Sequence, residues 1–432
     1  MSVLQIGLLL LASFFLMLAL SVPVSISLIV SSLITVSTAL PLDLGTFVAC
    51  QKMVAGVDSF SLLAVPFFIL TGVLMNTGGI AQRLINLAKC LVGRIPGGLA
   101  HTNIVGNTMF GALSGSAVAA SIAVGGVMLP EEEAAGYDKK FAAAANVASA
   151  PTGLIIPPSG ILIIYAVLSG SSVVGMIMSG YIPGILWCLA CMVVAFIVAK
   201  KNKYPTSERV PVKVLFRYFV EAIPSILLIV IIIGGISSGI FTATESAAVA
   251  VAYTLFLAMV VYKSIKPSDL PGILRDACET TAVIMFLIAA SAVMSFVLSF
   301  TGLPNAIGEA LLSVSDNKYV ILLLINLLLL VAGMFMDITP AVLIFAPIFL
   351  PVVTSFGMDP IHFGIMMVMN LGVGNINPPV GSSLFSGCQV SGIDMEDMMK
   401  PLLPFYAAIF IALMLVAYVP WFSMVIPNLV MG

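Results

Sequence analysis

Ile155-Ile156-Pro157-Pro158-Ser159-Gly160 and Ile376-Asn377-Pro378-Pro379-Val380-Gly381 break two apolar segments at corresponding places in the two halves of the chain. Proline has no N–H to donate and clashes with the preceding turn. Each pair therefore frees carbonyls about one turn earlier, within Pro151-Thr152-Gly153-Leu154 and Leu371-Gly372-Val373-Gly374-Asn375. Two interrupted membrane helices, one per half, are the sequence mark of a transporter's binding site.

The surrounding composition supports a membrane setting. The 432 residues are 61% hydrophobic and 8% charged, with a mean hydropathy of +1.19, whereas soluble domains carry about 25% charged residues. A spanning helix needs roughly 20 apolar residues, and uncharged runs of that order recur along the chain. The runs are continuous rather than alternating, which favours an all-α polytopic membrane protein over a β-barrel. The near-zero net charge gives a nucleic-acid role no electrostatic support. No Lys or Arg precedes Lys52, so the start lacks the charged region of a cleaved signal peptide and is expected to remain as a first span. The six cysteines are scattered, and Cys188-Leu-Ala-Cys191 sits in an apolar run with no second ligand pair.

Spans are expected at residues 3–21, 24–42, 60–77, 139–168 (broken) and 177–199, then at 218–236, 241–262, 278–300, 362–390 (broken) and 401–426. Re-entrant hairpins fit 98–130 and 319–352, and amphipathic interfacial arms fit 79–96 and 302–316. Leu84, Leu87 and Leu91 are read on one face of the first arm. With an external N-terminus, fifteen Lys and Arg residues fall inside and only Lys52 and Lys318 outside, as the positive-inside rule requires. That bias holds only if each hairpin is re-entrant. Leu129-Pro130 pairs with Leu350-Pro351, and Pro157-Pro158 with Pro378-Pro379, at an offset of 221 residues; Thr77-Gly78 pairs with Thr301-Gly302 at 224. Five crossings precede the second copy, so the two copies form inverted repeats around a midplane site. The polar stretch 200–217 between them reads as a cytoplasmic connector near anionic headgroups.

Candidate ligands follow from the breaks. The first hairpin turns at Leu113-Ser114-Gly115-Ser116-Ala117, where a tip at membrane depth leaves backbone groups needing partners; a second reading is that its small residues simply pack tightly and its hydroxyls bond back to the helix. The second tip, Met334-Phe335-Met336-Asp337-Ile338-Thr339-Pro340, holds the one carboxylate in the apolar stretch 319–357. An intramembrane acid marks a functional site by default. Asp337 could neutralise a monovalent cation with Thr339 and free carbonyls, and it equally suits a helix N-cap before Pro340. Half-helix N-termini at Ser159 and Ser382 suit an anionic substrate group, and Asn375 and Asn377 add amides. Glu245 in the first turn of a helix after Thr244 reads as a helix cap favoured by the macrodipole, and Glu131 to Glu133 with Asp138 as a solvated loop. His101 and His362 stand alone, which gives neither a zinc site nor a catalytic triad any support. The chain also lacks a phosphate-binding P-loop.

With these stretches, the chain resembles the large membrane subunit (the M or DctM-like component) of tripartite ATP-independent periplasmic (TRAP) transporters. The resemblance rests on Gly111-Ala112-Leu113-Ser114-Gly115-Ser116-Ala117-Val118-Ala119, Ile156-Pro157-Pro158-Ser159, Thr242-Ala243-Thr244-Glu245-Ser246-Ala247-Ala248-Val249 and Asn377-Pro378-Pro379-Val380-Gly381. It implies a Na⁺-coupled importer of small organic acids, not an enzyme, in the bacterial inner membrane with both termini periplasmic. Sialic acids, C4-dicarboxylates and sugar acids are the implied cargoes. The implied partners are a small four-helix membrane subunit, expected as a separate chain because no extra four-span segment precedes this one, and a periplasmic binding protein. An elevator-type ion-transporter fold is implied, with scaffold halves at 1–97 and 201–317 and moving halves at 98–200 and 318–432. More than one Na⁺ is expected. Carried over, sodium falls on Ser114, Ser116 and Gly153 and on Asp337, Thr339, Gly372 and Gly374; substrate falls on Ser116, Pro157, Ser159, Asn375, Asn377 and Ser382. A binding-protein-independent Na⁺/anion symporter or ion exchanger would use the same repeats.

Overall fold

The computed structural model describes residues 3–206, 212–315 and 317–431. Among these, the chain is built of helices, since in lipid the backbone must satisfy its hydrogen bonds within each segment. Eight helices are long and apolar enough to cross a membrane, and a ninth crossing comes from Lys139–Ile155 and Gly160–Ser169, which meet at a 45° bend. Local chemistry sets many starts. Asp138 accepts from the Lys140 N–H, Ser172 from that of Gly175, and Asn317 from that of Tyr319. Glu245 caps as read, but its partner is Thr242 rather than Thr244: the two form a reciprocal capping box, which satisfies two otherwise orphan donors.

Both hairpins form as read. Gly98–Ser114 and Ala117–Ala134 make the first, and Lys318–Phe335 and Ile338–Ser355 the second. At the first tip Gly115 adopts φ +63°, and a Cβ there would lie 3.4 Å from the Pro158 carbonyl. At the second, the Val380 N–H donates to Met334 O at 3.2 Å. Each tip thus docks on the break of its own repeat. The breaks occupy the expected places: Thr152–Ile155 gives way to Gly160–Ser169, and Pro360–Gly374 to Ser382–Ser391. Glycines let these layers cross. A Cβ on Gly153 would lie 2.3 Å from the Gly111 Cα, and one on its repeat counterpart Gly374 would lie 2.6 Å from the Gly333 Cα.

Hairpins, broken helices, Tyr181–Asn202 and Met395–Tyr418 pack on one another, while Ala64–Thr77, Ala243–Phe256 and Leu270–Thr301 form a second group reaching across the repeats. Burial separates them: 61% of the apolar window in Ile338–Ser355 is buried inside the protein, against 28% in Phe216–Ser237. The outer helices therefore face lipid or a partner.

Several boundaries differ from the sequence reading. The second span stops at Val36, and Leu42–Val57, expected as a loop, is a helix lying against Leu270–Thr301. Its mixed sequence, with Thr46, Gln51 and Lys52 among apolar residues, gives too weak an apolar run to register as a span. Its repeat counterpart is the first half of Leu270–Thr301, a single 32-residue helix longer than read; the first repeat breaks this helix at Asp58-Ser59. The last span divides into Met395–Tyr418 and Trp421–Met431 around Pro420, because proline disfavours a helical residue before it.

The arms are Ile80–Val92 and Leu303–Val314. Leu84 and Leu87 are buried while Leu91 is 64% exposed, so the face read for Leu91 is not the buried one. Arg83 stacks 3.7 Å over the Tyr262 ring, and Lys89 pairs with Glu131 at 2.8 Å. Glu131 and its neighbours are not a solvated loop. They continue the second arm of the first hairpin, and Glu132 is fully buried. The connector folds back at its start, with Tyr204 stacked 4.5 Å from Tyr137 and the Tyr137 hydroxyl donating to Pro205 O at 3.0 Å. Residues 207–211 of that connector and residue 316 of the second arm reading lie outside the described residues.

Candidate functional site

The two hairpin tips face one cavity of about 530 Å³. Ser114, Ser116, Asp337, Thr339, Asn375 and Ser382 all line it, although the two tips stand more than 200 residues apart in the chain. The inverted repeat brings them together, because each tip is anchored to its own broken helix and the broken helices pack side by side.

The second tip is organised around Asp337. Although it occupies the N-cap position of Ile338–Ser355, its side chain makes no capping hydrogen bond. Instead the Asn375 amide donates to Asp337 Oδ1 at 3.2 Å and the Ser382 hydroxyl donates to the same oxygen at 3.2 Å. Asn375 also donates to Ser382 Oγ at 2.7 Å, and its own Oδ1 accepts from the Ser383 N–H at 3.1 Å. Asn375 thereby reads the N-terminus of the second half-helix and carries it to the carboxylate. No Lys or Arg lies within ion-pair distance of Asp337 among the described residues. A carboxylate held by one amide and one hydroxyl, with no cationic partner among the described residues, offers charge and free lone pairs to a hard monovalent cation.

The first tip is neutral. Ser116 caps the second arm by accepting from the Ala119 N–H at 3.2 Å, and Ser114 Oγ lies 3.5 Å from both the Ser116 N–H and its carbonyl. Both hydroxyls keep lone pairs toward the cavity.

The other predicted residues sit behind the cavity wall. The buried Ser159 donates its hydroxyl to Leu154 O at 2.5 Å, one of the carbonyls the prolines free. Gly153 and Gly374 are the crossing glycines described above. A Cβ on Gly372 would lie 3.4 Å from the Trp187 ring, away from the tip. Pro157 stands in the turn itself, where the Pro157-Pro158 bond is cis, as is Pro378-Pro379. Asn377 serves the turn through its backbone: its N–H donates to Gly374 O and its carbonyl accepts from the Gly381 N–H, both at 3.0 Å. A Cβ on Gly381 would come 2.5 Å from that carbonyl.

Three residues escaped the sequence reading. Asn76, Asp276 and Thr280 line the opposite wall, from Ala64–Thr77 and Leu270–Thr301. Asp276 precedes the span expected at 278–300, and only the extra turns of Leu270–Thr301 bring it to the cavity. Gly72 completes that wall, since a Cβ there would lie 2.7 Å from Ser114 O. His362 is structural, with Nε2 2.8 Å from Val416 O.

The comparisons with known proteins agree with this architecture. Residues 11–422 match the family described as "Tripartite ATP-independent periplasmic transporter, DctM component". The chain is 50% identical over 418 residues to "Uncharacterized protein YgiK" of Salmonella typhimurium, covering 96% of each chain. It is 41% identical over 384 residues to the "Sialic acid TRAP transporter large permease protein SiaM" of Vibrio cholerae, covering 89% of this chain and 90% of that one. Among solved structures, the Alcanivorax borkumensis YdaH transporter, described as having an unusual topology, superposes with a TM-score of 0.59 over 86% of this chain and 87% of its own at 14% identity. That likeness shows a shared fold. The repeats, the paired tips and these matches together place the chain in the DctM component family of tripartite ATP-independent periplasmic transporters, as a multi-pass transporter subunit and not an enzyme.

Proposed function

We propose that this chain is the translocation subunit of a Na⁺-coupled secondary importer of small organic acids in the bacterial inner membrane. The observation that carries the reading is Asp337: a carboxylate without a cationic partner, bridged to the N-terminus of a half-helix and facing a cavity that both tips share. In this reading Na⁺ binds at the second tip through Asp337 and Thr339, and a second Na⁺ binds at the first tip through Ser114 and Ser116. Neutralising Asp337 lowers the cost of moving it through lipid. The acid then binds between the tips through Ser116, Asn375 and Ser382.

Alternating access follows from the repeats. The hairpins and broken helices, residues 98–200 and 318–432, move as one unit against the scaffold at 1–97 and 201–317. Gly72 supports this division, because its missing side chain gives the first tip a smooth surface to pass. The first arm links the two parts, pairing Lys89 with Glu131 of the moving unit and stacking Arg83 over Tyr262 of the scaffold. Fifteen cations against two support a topology with both termini outside. Partners are a small membrane subunit and a periplasmic binding protein. The sialic-acid permease named above makes sialic acid one candidate cargo, beside C4-dicarboxylates and sugar acids.

The test is uptake of labelled organic acids into proteoliposomes holding this chain and its small subunit, with and without an inward Na⁺ gradient and the binding protein. Uptake requiring both is the expected result. Na⁺-dependent uptake without the binding protein would replace the tripartite reading by a stand-alone symporter, and uptake indifferent to Na⁺ would remove the coupling ion.

A further inference from the structure

A second cavity of about 450 Å³ lies between the scaffold and the helices Gly160–Ser169 and Ile338–Ser355, with Lys52, Gly56, Ser59 and Phe296 in its lining. The repeat explains its position. At the 224-residue offset that aligns Thr77-Gly78 with Thr301-Gly302, Lys52 corresponds to Asp276, Gly56 to Thr280, and Gly72 to Phe296. Asp276, Thr280 and Gly72 line the tip cavity; Lys52, Gly56 and Phe296 line the second one. The same vestibule is thus built twice, once from each repeat, with opposite charge at the corresponding position.

The second vestibule is suited to an anion. Lys52 is exposed, and its Nζ sits 5.4 Å from the centroid of the Phe296 ring. None of the lining residues is acidic, and no carboxylate lies within ion-pair distance of Lys52 among the described residues. The polar remainder is hydroxyl: Ser59, with Ser291, Ser295 and Ser299 at four-residue spacing along one face of Leu270–Thr301. Ser291 donates back to Ile288 O at 2.8 Å, and Lys52 beside the hydroxyls of Ser59, Ser295 and Ser299 is what a carboxylate seeks.

We infer that this cavity is an outer anion vestibule in which Lys52 receives the carboxylate of the arriving organic acid. The inference rests on the importer reading above and deepens it. Inverted repeats make the two scaffold surfaces the counterparts that the tips face in the two end states, so Lys52 would attract the anion on one side while Asp276 repels it on the other. The charge pattern favours loading outside and release inside.

The test uses right-side-out and inverted membrane vesicles carrying the complex, treated with a membrane-impermeant amine-acylating reagent and read by peptide mass spectrometry at Lys52. Sialic acid, succinate or gluconate is expected to slow Lys52 acylation by about threefold or more in right-side-out vesicles, and the methyl ester of the same acid to leave it unchanged. In uptake assays, Lys52→Gln raises the half-saturating acid concentration about tenfold while the maximal rate and Na⁺ dependence persist, and Lys52→Arg restores it. Acylation unaffected by all three acids, or confined to inverted vesicles, overturns the vestibule. Protection without any Na⁺-driven uptake by the unaltered complex upholds the anion site and overturns the importer reading instead.

Discussion

Asn375 and Asp337, 38 residues apart, are joined by an amide-to-carboxylate hydrogen bond of 3.2 Å that ties the second hairpin tip to the break of its own repeat. Ser382 closes the triangle from the first turn of the following half-helix. A carboxylate held only by neutral donors has lone pairs to spare, so a cation binding there would fix the tip, the break and the half-helix together.

Asp337→Asn keeps the shape and removes the charge. The expected outcome is loss of Na⁺-driven uptake by about a hundredfold or more, since a charge-assisted contact worth about 3 kcal/mol disappears. Na⁺ should also cease to raise the melting temperature of the purified complex. Retention of a Na⁺-dependent shift in Asp337→Asn would place the ion elsewhere.

Gly374→Ala and Gly153→Ala test the backbone crossings. A methyl group at either position meets backbone atoms of the partner glycine at 2.6 Å or less, and backbone cannot yield as a flexible side chain does. Each substitution should destabilise the protein by about 1 to 3 kcal/mol, read as a lower melting temperature. Gly126→Ala, where a Cβ meets nothing within 4 Å, should be close to neutral in the same assay.

Glu132 gives the fold a pH dependence. It lies at the base of the first hairpin, beyond the membrane-spanning segments, fully buried, with one oxygen accepting from Asn103 Nδ2 at 3.0 Å and the other unpartnered. Burial pushes its carboxyl up to about 8. The folded state then holds a proton that the unfolded state loses from about pH 4.5 upward. Its stability contribution is complete below that pH and is lost as pH rises through about 8. Glu132→Gln keeps the Asn103 acceptor and removes the titration, so it should stabilise the complex at about pH 7.5 by on the order of 3 kcal/mol. Melting temperatures between about pH 5.5 and 8.5 should fall in the unaltered complex and stay level in the variant.

Sidedness is checked by placing single cysteines in a cysteine-free background. Asp58→Cys, in the break after Leu42–Val57, should react with a membrane-impermeant maleimide from outside, and Arg275→Cys, near the start of Leu270–Thr301, only from inside. The opposite pattern would invert the whole topology.

The class of fold was legible because its signals are local. Apolar runs without alternation permit only helices in lipid, proline pairs interrupt helices wherever they stand, and recurrence at a fixed offset shows as repetition along the chain. Asp337 drew notice for the same reason, as a lone charge in an apolar stretch. Tertiary packing alone decided which groups face the cavity. Ser159 follows the first proline pair and Asn375 precedes the second. Packing turns Ser159 back to Leu154 O and Asn375 forward to Asp337. The burial of Glu132 depends on Asn103, 29 residues away, and the placing of Asp276 and Lys52 on matching vestibules depends on helices from opposite repeats. No periodicity encodes such contacts, because they arise only when two inverted copies are packed face to face.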